Sequence, residues 1–164
     1  MPTIKNTEAF YRHKRLIYPT IQEDIREDRE IVYGARAINA QVPHYLRNPT
    51  TDYDIFAKHP LAEAKELESK LDRKFGFDAF RVARAQHPGT YRVKANVGGT
   101  VYADYTKQPA RVPVKEVEGT RYATLAWHER RIHKTLSKES QSFRHEKDKA
   151  TLARIRIAER AARK

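Results

Sequence analysis

The stretch Thr51-Asp52-Tyr53-Asp54-Ile55-Phe56 limits what this chain can become more than any other. Asp52 to Phe56 reads as a strand, in which residues i and i+2 share a face. Asp52 and Asp54 therefore point the same way. Two carboxylates held side by side repel, a cost that a cation between them removes. Hard oxygen donors of this kind suit Mg²⁺ or Mn²⁺. Upstream, the short apolar run Ile31-Val32-Tyr33 stops at Gly34-Ala35-Arg36, where glycine permits a tight turn that could hold phosphates. Asp-x-Asp also occurs as a solvated strand end or an Asx turn. The rest of the chain has to decide between those readings.

Composition narrows the chemistry. The 164 residues fit one domain and include no cysteine, so disulfides and thiolate metal sites are excluded. Any metal must use oxygen or imidazole ligands. The seven histidines show no zinc spacing, since His128 and His133 are five apart and His145 stands alone among charges. No apolar run reaches the length of a membrane span, and the N-terminus lacks the apolar core of a signal peptide. A cytoplasmic or otherwise intracellular protein is the expectation. The formal net charge is +12, and Lys107 to the end holds 16 Lys+Arg against 7 Asp+Glu.

The first 30 residues read as helical. A short helix is expected from Thr7 to Leu16. A second starts near Tyr18-Pro19-Thr20, with Ile21 and Ile25 as its buried stripe and Glu23-Asp24 toward water. A helix over 35–45 follows Gly34, disturbed at its end by Pro43. His59-Pro60 opens the clearest helix, where Leu61, Ala64, Leu67 and Leu71 recur near a period of 3.6 and Phe75-Gly76 end it. Glu66 and Lys70 have ion-pair spacing on it. Phe80 to Ala83 is a strand. Thr90 to Ala95 and Thr100 to Tyr105 form a hairpin around Asn96-Val97-Gly98-Gly99. Val112 to Val117 and Arg121 to Ala123 form another small strand pair. Thr124 caps a helix through Leu136, and Ser142 caps a last helix from Phe143 to about Ala162.

Asp104 lies on the return strand of the hairpin, on the opposite face from Val101, Ala103 and Tyr105. Its alternative is a lone charge on a wet hairpin face. Beside Asp52 and Asp54 it would complete a site able to hold two Mg²⁺ ions, clamp a triphosphate and activate an attacking hydroxyl. The order strand, Gly-x, helix, Asp-x-Asp, helix, then a later strand with a third Asp resembles the polymerase-β-type nucleotidyltransferase superfamily. Its small members are the most similar, including those of large DNA viruses and of toxin–antitoxin and abortive-infection systems. The resemblance covers Ile31 to Leu136.

That resemblance implies an α+β fold, with a mixed β-sheet flanked by helices and the site at one edge. Residues 1–30 would be a helical extension, 31–136 the nucleotidyltransferase-like core, and 137–164 a basic C-terminal helix. It implies Asp52, Asp54 and Asp104 as metal-binding and catalytic residues, with Mg²⁺ or Mn²⁺ as cofactor. Gly34, Ala35, Arg36 and Lys134 would bind the nucleotide. Ala35 stands where the family has serine, which removes one hydroxyl from the phosphates. The activity implied is transfer of a nucleoside monophosphate from an NTP to a hydroxyl, in a virus-encoded protein.

A second reading keeps the fold without catalysis, as a nucleic-acid-binding or structural component that has a partner protein. Ala35 and the lack of a separate acceptor-recognition domain motivate it. In either case the basic end can meet RNA or DNA. Phe143, Leu152 and Ile155 would be its buried contacts. Arg144, Lys147, Arg154, Arg156, Arg160, Arg163 and Lys164 would then form an exposed polyanion surface, sensitive to salt and indifferent to base sequence. A solvated helix whose charge serves only solubility is the competing expectation.

Overall fold

The structure, a computed structural model, describes residues 2–163. Two helices lead the chain, α1 (Ile4–His13) and α2 (Ile17–Glu27), joined by a 3₁₀ turn at Lys14–Leu16. Then come β1 (Ile31–Tyr33), α3 (Ala35–Gln41), β2 (Tyr53–Ala57), α4 (Pro60–Phe75), β3 (Phe80–Arg84), β4 (Thr90–Ala95) and β5 (Val101–Lys107). The last elements are β6 (Val114–Val117), β7 (Thr120–Ala123), α5 (Leu125–Leu136) and α6 (His145–Ala162). The strands form one mixed sheet ordered β3-β4-β5-β2-β1-β7-β6. Only β1–β7 and β2–β5 are parallel pairs.

Period-two alternation sorts the strand residues onto two faces. One face carries Val32, Tyr53, Ile55, Phe80, Val93, Ala103 and Tyr105 in the main core, together with Phe10, Ile17, Ile21 and Ile25 of α1 and α2 and Leu67 and Leu71 of α4. Each fully buried Ile or Leu there contributes about 1.5–3 kcal/mol of transfer free energy. Helices α1 and α2 are therefore built into the same core as the sheet. The opposite face holds Ile31, Tyr33, Phe56 and Ala123 near the sheet centre. Beyond it, Ile38 of α3, Ile132 of α5, and Leu152 and Ile155 of α6 make a separate cluster. Two sets of helices thus cover one sheet, and the acidic face lies on the side of α3 and α5.

Several expectations shift. Thr3, not Thr7, caps α1, its hydroxyl accepting the Asn6 N–H at 3.0 Å. The helix after Gly34 ends at Gln41, since Pro43 cannot continue it, and a 3₁₀ turn at His44–Leu46 follows. Leu61 is partly exposed rather than part of the buried stripe of α4. Asp24 is buried, not turned to water: it pairs with Lys70 and accepts a hydrogen bond from the Tyr105 hydroxyl at 3.3 Å.

The last helix begins at His145, because residues 139–144 close into a 3₁₀ segment. His145 Nε2 donates to the carbonyls of Thr135 and Lys138, which ties that segment back to the end of α5. Phe143 is consequently 79% exposed and is not a buried contact, whereas Leu152 and Ile155 are buried. No helix among the described residues is long and apolar enough to cross a membrane.

Candidate functional site

The register of the sheet assembles the acidic residues. Tyr33 pairs with Asp54 across β1–β2, and Asp54 pairs with Asp104 across β2–β5. Neighbouring strands lie roughly 4.8 Å apart, so the two carboxylates are adjacent on one face. Asp52, two residues before Asp54, joins them at the strand entrance. Carboxylate oxygens of Asp52, Asp54 and Asp104 all lie within 4.8 Å of one another.

Like charges this close disfavour ionisation. Burial, reinforced by Asp52 and Asp104, pushes the Asp54 carboxyl up to about 7. Burial also raises Asp104, opposed by Arg92. Arg92, the β4 residue opposite Asp104, bonds it through Nε at 3.1 Å and through Nη2 at 3.4 Å. Among the described residues no cation lies within 4.0 Å of Asp52 or Asp54. Three converging carboxylates, two of them unpaired, are a donor set that fits a hard divalent cation such as Mg²⁺ or Mn²⁺.

Gly34 is required twice over. Its φ of 71° is unfavourable for any L side chain. An added Cβ would also fall inside van der Waals contact of Asp54 Oδ2. The Gly34 N–H is donated to His128 Nε2 at 2.8 Å. His128 Nδ1 in turn donates to the Thr124 carbonyl at 2.8 Å, which fixes the neutral tautomer. Burial holds His128 down to about 4. The amide of Gly34 is thus engaged within the protein, and Ala35 begins a helix of only seven residues.

Arg36 is engaged within the protein. Its guanidinium lies over the rings of Tyr18 and Tyr53, at 4.8 and 4.2 Å, and donates to the carbonyls of Thr50, Thr51 and Asp52. Asn39 and Asn48 exchange a further pair of bonds across the same loop. These contacts fix how the chain enters β2 and so where Asp52 sits.

On α5, Lys134 is exposed in the last turn. Arg131, one turn earlier, lies over Tyr33 and Trp127, at 5.2 and 5.4 Å, and its charge eases the ionisation of Asp54. Lys147 of α6 does the same to a smaller extent. Tyr33 stacks on Phe56 with ring centroids 3.8 Å apart, and Trp127 meets both edge-on. This aromatic group is a wall beside the carboxylates. Tyr102 and Tyr105 are buried in the core on the other face.

The basic residues in and around α6 divide. Arg144 pairs with Asp148 and Arg156 with Glu129, at 3.7 and 3.9 Å. Arg154 is half-buried and donates to the Leu46 carbonyl at 3.0 Å, so it is a structural tie rather than an exposed charge. Arg160 and Arg163 are exposed, while Lys164 lies outside the described residues.

Sequence reasoning did not identify Arg92, Arg131 or His128 as site residues. Arg92 alone had a usable signal, as the residue facing Asp104 in the hairpin register. The other two come from a helix that packs back across the sheet.

A mixed sheet bearing a glycine turn and converging aspartates on one face defines the polymerase-β-type nucleotidyltransferase fold. Residues 19–142 match the family described as "Poly(A) polymerase catalytic subunit", and the chain belongs to that family. It is 28% identical over 120 residues to a "Putative poly(A) polymerase catalytic subunit" of Acanthamoeba polyphaga mimivirus, covering 66% of this chain and 20% of that protein. The crystal structure of the Megavirus polyadenylate synthase superposes with a TM-score of 0.75 at 22% identity, over 89% of this chain and 31% of that one. The chain thus spans a fifth to a third of the length of these two viral proteins.

Proposed function

We propose that this chain transfers a nucleoside monophosphate, adenylate first among the candidates, from an NTP to the terminal hydroxyl of an RNA. The observation that carries the reading is the convergence of Asp52, Asp54 and Asp104 beside Gly34. Family membership supports it, as does the similarity to the two viral polyadenylating proteins. Asp52 and Asp54 would hold Mg²⁺ or Mn²⁺ jointly, and Asp104 would hold the ion on the acceptor side. Bound there, two such ions supply charge neutralisation along the triphosphate and lower the pKa of the attacking hydroxyl.

The residues of the chain do the rest. Asp104, oriented by Arg92, accepts the hydroxyl proton. The acceptor oxygen bonds to the α-phosphorus, the bond from that phosphorus to the bridging oxygen breaks, and pyrophosphate leaves. Arg131 and Lys147 draw the phosphates toward the carboxylates. Gly34 keeps the turn close enough for Asp54 to face the α-phosphate. Arg36 holds the entry to β2. Arg160 and Arg163 give RNA a cationic surface. A virus-encoded protein working inside an infected cell fits this reading.

Two contacts favour an idle binding component instead: Asp104 is already paired with Arg92, and the Gly34 amide with His128. Incubation with labelled NTPs, Mg²⁺ and RNA or DNA primers separates the two. Transfer that disappears in the Asp52→Ala/Asp54→Ala double variant supports catalysis. Transfer that persists in it sinks the proposed site.

A further inference from the structure

At the end of β1 remote from Gly34, six carboxylates gather, and only three of them pair with an ammonium. They are Asp24, Glu27, Asp28, Glu30, Glu63 and Glu66, contributed by α2, the turn into β1, and the start of α4. In a chain of net charge +12, so acidic a junction is unexpected. Lys70 pairs with Asp24, Glu27 and Glu66. Among the described residues, Asp28, Glu30 and Glu63 have no cationic partner within 4.0 Å. These same three carboxylates offer oxygens within 4.8 Å of one another. Oxygens bound to one Ca²⁺ at roughly 2.3–2.6 Å are at most about 5 Å apart.

The decisive group is Glu30. It is only 4% exposed, and neither carboxylate oxygen has a hydrogen-bond partner. A buried carboxylic group without a partner costs roughly 1–3 kcal/mol or more, and such groups call for an explanation. Asp28 is exposed and Glu63 half-buried, so the cluster is open to solvent on one side and an ion can enter. Glu63 keeps one oxygen free, since Oε2 alone accepts the His59 N–H at 3.1 Å.

We infer that Asp28, Glu30 and Glu63 form a second divalent-cation site, separate from the three aspartates, that takes a hard cation and ties α2 and β1 to α4. The ion neutralises the charges Lys70 leaves unpaired and gives the buried Glu30 oxygens a ligand. The role is structural, since β1 carries Tyr33 and Gly34 at its other end.

The test uses the full chain with Asp52→Ala and Asp54→Ala, so that the site at the aspartates does not contribute. After chelator treatment, Tm is followed against Ca²⁺ and, in a second arm, Mg²⁺. Saturable stabilisation by at least one of them is expected, with a stoichiometry of one by calorimetric titration. Glu30→Gln keeps the shape and should weaken that binding by more than about tenfold. Asp28→Asn, at an exposed position, should weaken it in the same direction and covers the case in which Glu30→Gln does not fold. A Tm indifferent to both cations overturns the inference. So does an unchanged response in Asp28→Asn.

Discussion

At Gly34 a single hydrogen atom in place of a side chain sets the distance between the turn and Asp54. Gly34→Ala should cost about 1–3 kcal/mol from its positive φ alone, and more because its Cβ must displace the Asp54 carboxylate. A fall in Tm together with loss of Mg²⁺-dependent nucleotide binding is the expected result. His128 gives a pH prediction. Its folded pKa of about 4 lies below the ordinary 6.5, so the unfolded chain takes up the proton first. Its contribution is complete above about pH 6.5 and is lost as pH falls toward 4. His128→Gln, still able to accept from Gly34, should flatten this slope in a plot of Tm against pH. An equal slope in both proteins would show that His128 does not titrate this way. Asp52 and Asp54 were legible at this scale because a strand needs only period two to place them together. Arg36 was not, because nothing local says that it will lie between Tyr18 and Tyr53.

Elements bring together what no local pattern encodes. The hairpin β4–β5 was readable from alternation and the turn at Asn96-Val97-Gly98-Gly99, and its register puts Arg92 opposite Asp104. The parallel pairing of β2 with β5 was not readable, because it depends on α4 crossing over between the strands. The return of α5 across the sheet was equally hidden. It brings His128 to Gly34 and Arg131 toward Asp54, whereas the family resemblance implied Lys134. Arg131→Ala should therefore raise KM for the NTP several-fold and leave kcat less affected, a loss of roughly 1–2 kcal/mol for a charge-assisted contact. Lys134→Ala should change KM little. The reverse ranking in steady-state kinetics would return the nucleotide role to Lys134.

The whole molecule is a sheet whose main apolar core lies on one face, while the other face holds two smaller apolar clusters and the three aspartates. Composition announced the basic end but not its division of labour, since burial decides which arginines remain free. Leu152 and Ile155 anchor α6, so either change to Ala should cost about 2–5 kcal/mol. Charge reversal at Arg160, Arg163 and Lys164 should leave Tm nearly unchanged. It should weaken RNA and DNA binding at low salt and make the dependence of affinity on salt shallower. Unchanged binding would remove this end from the nucleic-acid surface. The most direct measurement of the central claim is calorimetric titration of a non-hydrolysable ATP analogue into the full chain, with Mg²⁺ and with chelator. We predict binding only with Mg²⁺, weakened by more than about tenfold, or ~1.4 kcal/mol, in Asp54→Asn. Equal affinity with chelator, or an Asp54→Asn variant that binds as the parent does, would contradict it.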